Sequence, residues 1–260
     1  HCSWPVASSR TGPVSVDGWS PRNFDDRYRG QTTMRESLAE SLNSVAVQIA
    51  ERAGRDKVIA AARRLGITAP LQPNPSLALG TSEVTLVELT AAYASLANGG
   101  NATWPFGISA IRASAGAILY RREGTGGGRV IAAENLRALD DMLAGVLTVG
   151  TGRAAAIGRP AVGKTGTSQD FRDAWFVGAT ADLVAGVWIG NDDGSPMKRV
   201  TGGGLPAEIW RTFMAGALAG TPARPLSLPQ DSPASSSAST PVASRGWSWE
   251  NDPINNVPRN

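Results

Sequence analysis

The sequence predicts an α+β fold: a helical half, then an antiparallel sheet, then a closing helix. Three observations carry the prediction. Helical periodicity begins at about residue 33 and recurs to about residue 98. Three strand-like runs follow one another from residue 161, separated only by short turns. An amphipathic segment, Pro206–Ala219, comes after them. Helices grouped first and strands grouped later do not give the regular strand–helix alternation of a parallel sheet.

Residues 1–31 are rich in Pro, Gly, Arg and aromatics and are expected to be irregular. Thr33-Met34-Arg35-Glu36 then fits a capping box, in which a hydroxyl and a carboxylate satisfy free backbone N–H groups at a helix start. Ser41-Leu42-Asn43-Ser44 interrupts the apolar period. Ser and Asn compete with the backbone for hydrogen bonds, so a break or a fresh cap is expected near residue 41. A second helix is expected over 56–65. Another capping box, Thr85-Leu86-Val87-Glu88, opens a third, which ends at Asn98-Gly99-Gly100. Ile108–Arg112 and Ala117–Arg122 look like a hairpin. Gly124–Gly128 reads as a flexible loop, and 133–147 as a helix that stops before Gly150-Thr151-Gly152. Ala161–Thr167, Ala174–Thr180 and Leu183–Gly190 are the three strands. After Gly220 the chain turns to Pro, Ser and Ala without apolar period, so the organisation expected is a domain over 1–220 and a disordered tail over 221–260. Trp247 and Trp249 in that tail are read as incidental. No internal repeat is present.

Composition excludes several functions. With 260 residues and 42% apolar content the chain can build a proper core. No run of about 18 apolar residues could span a membrane. His1-Cys2-Ser3-Trp4-Pro5 has neither an initiator Met nor the basic and apolar regions of a signal peptide, which suggests a piece of a longer protein. A net charge of +3 without blocks of like charge fits a solvated surface and gives no sign of nucleic-acid binding. The only His is His1 and the only Cys is Cys2. A Ser-His-Asp or Cys-His device inside the domain is therefore excluded, as are a His-based zinc site and an internal disulfide. Nucleophilic catalysis here has to use a Lys as base.

Lys164 sits at the meeting point of two chemistries. Gly158-Arg159-Pro160-Ala161-Val162-Gly163-Lys164-Thr165 satisfies the nucleotide-binding pattern Gly-x-x-x-x-Gly-Lys-[Ser/Thr]. That loop needs a strand before it and a helix after it, so that N–H groups converge on phosphate. Here Ala154–Ile157 is a poor strand, Pro160 removes one donor, and Gly166 stands where the first helical turn should be. In the other reading, Lys164-Thr165-Gly166-Thr167 forms a strand along a cleft. Alternation puts Lys164 and Gly166 on one face and Thr165 and Thr167 on the other. Gly166 lets a substrate backbone approach, and the ammonium and hydroxyls suit a carboxylate.

A longer set of runs supports the second reading. Lys164 through Gly178, Val187-Trp188-Ile189-Gly190-Asn191-Asp192-Asp193, Thr201-Gly202-Gly203-Gly204 and Pro206-Ala207-Glu208-Ile209-Trp210 resemble the transpeptidase domain of class A penicillin-binding proteins. Upstream, Trp19-Ser20-Pro21-Arg22-Asn23, Tyr28-Arg29-Gly30, Leu38 through Ala46, Ala78-Leu79-Gly80-Thr81, Ala91-Ala92-Tyr93-Ala94 and Ala97-Asn98-Gly99-Gly100 are similar to the same family. The resemblance covers about residues 17–217 in family order. It implies a penicillin-binding, serine β-lactamase-like fold, with a helical subdomain beside an antiparallel sheet, incomplete at its N-terminus. Of the family's three motifs, Ser41-Leu42-Asn43 matches the second and Lys164-Thr165-Gly166 the third. The nucleophile motif Ser-x-x-Lys is absent from its family position. The one such run, Ser195-Pro196-Met197-Lys198, comes last, in a Gly/Pro loop, and is read as a loop. The nucleophile is expected a few tens of residues before His1.

The resemblance implies peptidoglycan cross-linking through an acyl-enzyme, with stem peptides and β-lactams as ligands and no cofactor or metal. Ser41 would relay a proton to the leaving amine, Asn43 would bond the substrate amide, and Lys164 would supply positive potential. Thr165, Gly166 and Thr167 would line the strand edge, with the Thr167 hydroxyl on the substrate carboxylate. The Thr167 N–H would act as an oxyanion donor, worth roughly 3–4 kcal/mol. Gly150-Thr151-Gly152 is also similar to a family segment near the cleft and is read as a structural turn. The family's setting implies a membrane-anchored parent with a glycosyltransferase domain, working outside the cytoplasmic membrane of a bacterium. The 260 residues alone are expected to be inactive. The alternatives are a non-catalytic cell-wall binder, a D,D-carboxypeptidase and, most remotely, the nucleotide binder.

Overall fold

The computed structural model describes residues 8–123 and 127–226. All of them belong to one compact unit, His1–Pro229. The loop expected at Gly124–Gly128 lies partly outside the described residues, and so does nearly all of the tail expected over 221–260. Residues 221–226 continue the chain, with Leu226 packed against the core cluster that contains Leu96, Leu136, Leu143, Val162 and Ala179.

The helical half starts with a pair of strands that the sequence reading misses. β1 (Ser8–Thr11) pairs antiparallel with β2 (Gly30–Thr33), where an irregular segment was expected. Ser8-Ser9-Arg10-Thr11 has no apolar alternation, so nothing local announces it. β2 runs directly into α1 (Met34–Ala39), and the capping box forms as expected: the Thr33 hydroxyl accepts from Glu36 N at 3.2 Å, and the Glu36 carboxylate accepts from Thr33 N at 2.8 Å. The expected break near residue 41 is present. α1 stops at Ala39, Ser41 takes a left-handed backbone with φ of 56°, and α2 (Asn43–Ala53) begins two residues later. Gly54 separates α2 from α3 (Arg55–Arg64). α4 (Leu86–Ala97) has only half of its expected capping box. The Thr85 hydroxyl accepts from Glu88 N at 3.2 Å, but the Glu88 carboxylate turns to Thr68, whose N–H lies 2.9 Å away and whose hydroxyl also donates. The tertiary partner outcompetes the local one.

The hairpin is shorter than expected: β3 (Ala110–Arg112) pairs with β4 (Ile118–Arg121), with a register shift between Ile111 and Arg112. α5 (Ala133–Thr148) follows. The main sheet is antiparallel, in the order β5 (Val162–Thr167), β6 (Asp173–Ala179), β7 (Val184–Gly190), and α6 (Leu205–Ala217) closes the domain. This is the expected α+β architecture.

Helices cover both faces of this sheet. Val162 and its partner Ala179 face α4 and α5, packing with Leu96, Leu136 and Leu143. Three residues earlier on β6, on the opposite face, Phe176 faces α6, its ring 5.2 Å from that of Trp210. Trp210 is fully buried, and its indole N–H bonds to Gly178 O at 3.3 Å and Ala185 O at 3.1 Å, which fixes α6 across two strands. Replacing either ring with Ala would cost about 3–5 kcal/mol. Among the described residues β5 has a single strand neighbour, so its outer edge is open.

Candidate active site

Register decides what β5 presents at that edge. Ser168 N donates to Asp173 O, so Ser168 points its backbone groups toward β6. In an antiparallel ladder a residue's N–H and C=O lie on one side and alternate along the strand. Gly166 and Lys164 therefore also bond inward, while Thr165 and Thr167 aim their N–H and C=O groups at the open edge. The side chains alternate independently, toward the two faces. Lys164 goes to the α4–α5 face with Val162. Thr165 and Thr167 go to the α6 face with Gly163.

The Lys164 ammonium donates to Thr165 O at 3.0 Å and to Ser41 Oγ at 2.7 Å. Ser41 comes from the joint between α1 and α2, 123 positions earlier in the chain. The joint is held from outside. Leu42, the residue before α2, has no side chain able to cap the helix. Asn23 does so instead: its Oδ1 accepts from Ser44 N at 3.1 Å, and its Nδ2 donates to Arg27 O at 2.7 Å. Asn43 returns the contact, with Nδ2 on Arg22 O at 2.8 Å. The two Asn residues thus clasp segment 22–23 to the start of α2. Ser44 and Asn23 are buried, so these bonds also satisfy groups shut off from water.

Lys164 is partly buried, and among the described residues no carboxylate lies within ion-pair distance of it. Loss of water around an uncompensated cation disfavours the charged form, and the ammonium is pushed down to about 8. It remains mostly charged at neutral pH. Of its three protons, two are engaged by protein. Ser41 Oγ accepts one of them, so its own hydrogen is free to be donated elsewhere.

The other face is built from hydroxyls and glycine backbone. Thr165 Oγ1 lies 2.7 Å from Thr151 Oγ1, and Thr167 Oγ1 accepts from Gly202 N at 3.0 Å. Thr151 N reaches Ala39 O at 3.0 Å, just before Ser41. The Thr201–Gly204 loop lies against β5 so closely that a Cβ at Gly202 would stand 2.4 Å from Gly166 O and 2.3 Å from Trp175 O.

The structure therefore brings Ser41, Lys164, Thr165, Gly166 and Thr167 to one edge, and ties Asn43 to Arg22 beside it. The nucleotide reading fails, because Gly163-Lys164-Thr165 lies inside a strand followed by another strand. Ser195 sits in a loop, its Oγ bonded by Asn191 Nδ2 at 3.1 Å and its N–H by Asp193 Oδ1 at 2.9 Å. Asn23 and Gly202 lie in runs that resemble the family, but their contacts have no local sequence signal because the partners are 21 and 35 residues away. Thr151 was placed in a turn. The available signals are its position between two glycines and the similarity of Gly150-Thr151-Gly152 to a family segment near the cleft. Among the described residues no cluster of His, Cys, Asp and Glu could hold a metal, and no helix is long and apolar enough to cross a membrane.

Residues 6–215 match the family described as the penicillin binding protein transpeptidase domain. Penicillin-binding protein 1A of Aquifex aeolicus is 38% identical over 204 residues, which are 78% of this chain and 28% of that protein. Its counterpart in Neisseria lactamica is 34% identical over 232 residues, covering 84% of this chain and 29% of that one. Among solved structures, penicillin-binding protein 1A from Haemophilus influenzae has a TM-score of 0.78 at 28% identity, covering 86% of this chain and 40% of that one. PonA1 from Mycobacterium tuberculosis in complex with penicillin V has a TM-score of 0.74 at 26% identity, with 85% and 65% covered. The chain spans under a third of the length of these curated relatives.

Proposed function

The chain belongs to the penicillin-binding protein transpeptidase domain family, and from that premise we propose that the whole protein cross-links peptidoglycan by serine-type D-Ala-D-Ala transpeptidation. These residues supply one side of its cleft. One observation carries the reading: a desolvated ammonium without a carboxylate partner, Lys164, bonds the Ser41 hydroxyl at the open edge of a strand. An uncompensated cation beside a strand edge is a receptor for an extended peptide that ends in a carboxylate.

On this reading the stem peptide lies along β5, next to Gly166, and its terminal carboxylate accepts a hydrogen bond from the Thr167 hydroxyl. The hydroxyl proton is available because Gly202 N occupies a lone pair of the same oxygen. A serine outside these 260 residues attacks the penultimate D-Ala carbonyl, giving its proton to the Lys of its own Ser-x-x-Lys motif. The oxygen of the tetrahedral intermediate accepts the outward N–H of Thr167. As the C–N bond breaks, the leaving D-Ala amine takes the Ser41 proton, and Lys164 returns a proton to Ser41. Asn43 keeps a second amide N–H and its Oδ1 for the substrate amide. An acceptor amine then attacks the ester and passes its proton through Ser41 back to Lys164, while the departing serine oxygen recovers its proton from the Lys of Ser-x-x-Lys. A β-lactam acylates the same serine, but its amine stays tethered and the ester persists. The parent protein is membrane-anchored, carries a glycosyltransferase domain and works in the bacterial envelope outside the cytoplasmic membrane. The 260 residues alone are inactive.

The test is fluorescent penicillin on the full-length protein, with the adduct mapped by mass spectrometry and stem products separated. The expected result is one adduct on a Ser-x-x-Lys serine outside residues 1–260, together with cross-linked dimers. Absence of an adduct would leave a non-catalytic wall-binding protein. Released D-Ala without dimers would mean a carboxypeptidase. An adduct on Ser41 or Ser195 would overturn the assignment of roles.

A further inference from the structure

Thr151 touches three parts of the site. Its N–H holds Ala39 O at 3.0 Å, two residues before Ser41. Its carbonyl is passed so closely by the 201–204 loop that a Cβ at Gly203 would lie 2.3 Å from the oxygen. Its hydroxyl stands 2.7 Å from the Thr165 hydroxyl. Two hydroxyls at that distance share one proton between them, and the second proton must point elsewhere. Which oxygen donates decides whether Thr165 shows a proton or lone pairs to the open side of β5.

Thr167, on the same face, resolves the question for itself. It accepts Gly202 N, so its proton is free. For a carboxylate to meet donors at both threonines, Thr165 must also accept from within the protein. Thr151 supplies the hydroxyl within reach. We infer that Thr151 is a positioning residue that donates to Thr165, turns the Thr165 proton outward beside that of Thr167, and so builds a two-pronged donor for the carboxylate end of the substrate. The inference rests on the acyl-transfer reading above and assigns a role to a residue outside the Ser41-x-Asn43 and Lys164-Thr165-Gly166 motifs. It separates two functions of Thr151: the backbone N–H supports the Ser41 joint, and the hydroxyl serves carboxylate recognition.

The experiment compares two fluorescent β-lactams, identical except that one has its carboxylate esterified, acylating the full-length protein. Thr151→Val removes the hydroxyl and keeps the backbone. It is expected to slow the free acid about tenfold, the scale of one charge-assisted hydrogen bond, and the ester by less than about twofold. Thr151→Ser restores the free-acid rate to within about threefold of wild type. Thr165→Val reproduces the selective loss, and the double variant Thr151→Val/Thr165→Val is no slower than Thr165→Val alone, because one chain of bonds is broken either way. If Thr151→Val fails to fold, Thr151→Ala carries the same comparison. Equal slowing of both probes, no slowing, or losses that multiply in the double variant would overturn the role of Thr151. A wild type that neither probe labels would instead remove the acyl-transfer reading, and this inference with it.

Discussion

The two faces of β5 do opposite things with neighbouring residues. On the α4–α5 face Lys164 carries a full charge into a partly desolvated place and meets one neutral hydroxyl, Ser41. On the α6 face Thr165 and Thr167 carry no charge, and backbone and hydroxyl groups of two glycine-rich turns surround them. The first face is electrostatically unsatisfied and poised for proton transfer. The second is sterically complete and poised to orient a ligand. A six-residue strand can do both because its side chains alternate while its backbone edge stays open to both functions.

The largest effect that would test this contrast is expected from Lys164→Met, which keeps the length and removes the charge. Penicillin acylation of the full-length protein should fall by about a hundredfold or more. The melting temperature should hold or rise, because a poorly compensated charge leaves the interior. The same variant checks the pH behaviour. The Lys164 pKa is 10.5 in the unfolded chain and about 8 in the fold, so between these values the unfolded state binds more protons and stability rises with pH. Asp140, pushed up to about 6 by burial, has finished titrating below that window. Tyr93 is pushed up by burial, so it withdraws stability only above pH ~10, once the unfolded phenol ionises. Denaturant titrations should therefore show stability rising from pH ~8 to ~10 in wild type and a flat profile in Lys164→Met. Acylation by wild type should decline over the same range as the ammonium is lost.

A smaller effect is expected on the other face. Gly202→Ala drives a Cβ into the backbone of Gly166 and Trp175, which cannot swing aside as a side chain would. A stability loss of about 3 kcal/mol should appear in urea unfolding. Acylation should drop with it, while the pH midpoint near 8 stays in place because Lys164 keeps its surroundings. A shifted midpoint would show that the two faces are coupled after all. The smallest effect is the control. Ile111→Thr lies on the exposed hairpin, where Ile111 is 42% accessible, and should move stability by no more than about 0.5 kcal/mol and acylation not at all.

Local signals were legible in proportion to how local their partners are. The Thr33–Glu36 capping box closes within four residues, and it formed as read. The alternation of Lys164-Thr165-Gly166-Thr167 is a property of any strand, and the side chains took the expected faces. The break at Ser41 followed from Ser and Asn in mid-helix. By contrast, the Thr85–Glu88 box lost its carboxylate to Thr68, twenty residues away. β1 is polar and exists through its pairing with β2. Asn23 caps a helix 21 residues later, and Thr151 reaches both Ala39 and Thr165. None of these carries a periodicity, since each is a single long-range hydrogen bond or backbone pairing. What went unread in the site is its support.

The left-handed backbone of Ser41 sets stability against function at one position. A φ of 56° costs a residue with a Cβ about 1 kcal/mol relative to glycine. Glycine there would ease the turn between α1 and α2 and delete the hydroxyl that Lys164 holds. Variants selected only for thermal resistance would drift toward that replacement and shed the proton relay while gaining robustness. Position 41 is therefore one where a library screened by heat and a library screened by turnover should diverge.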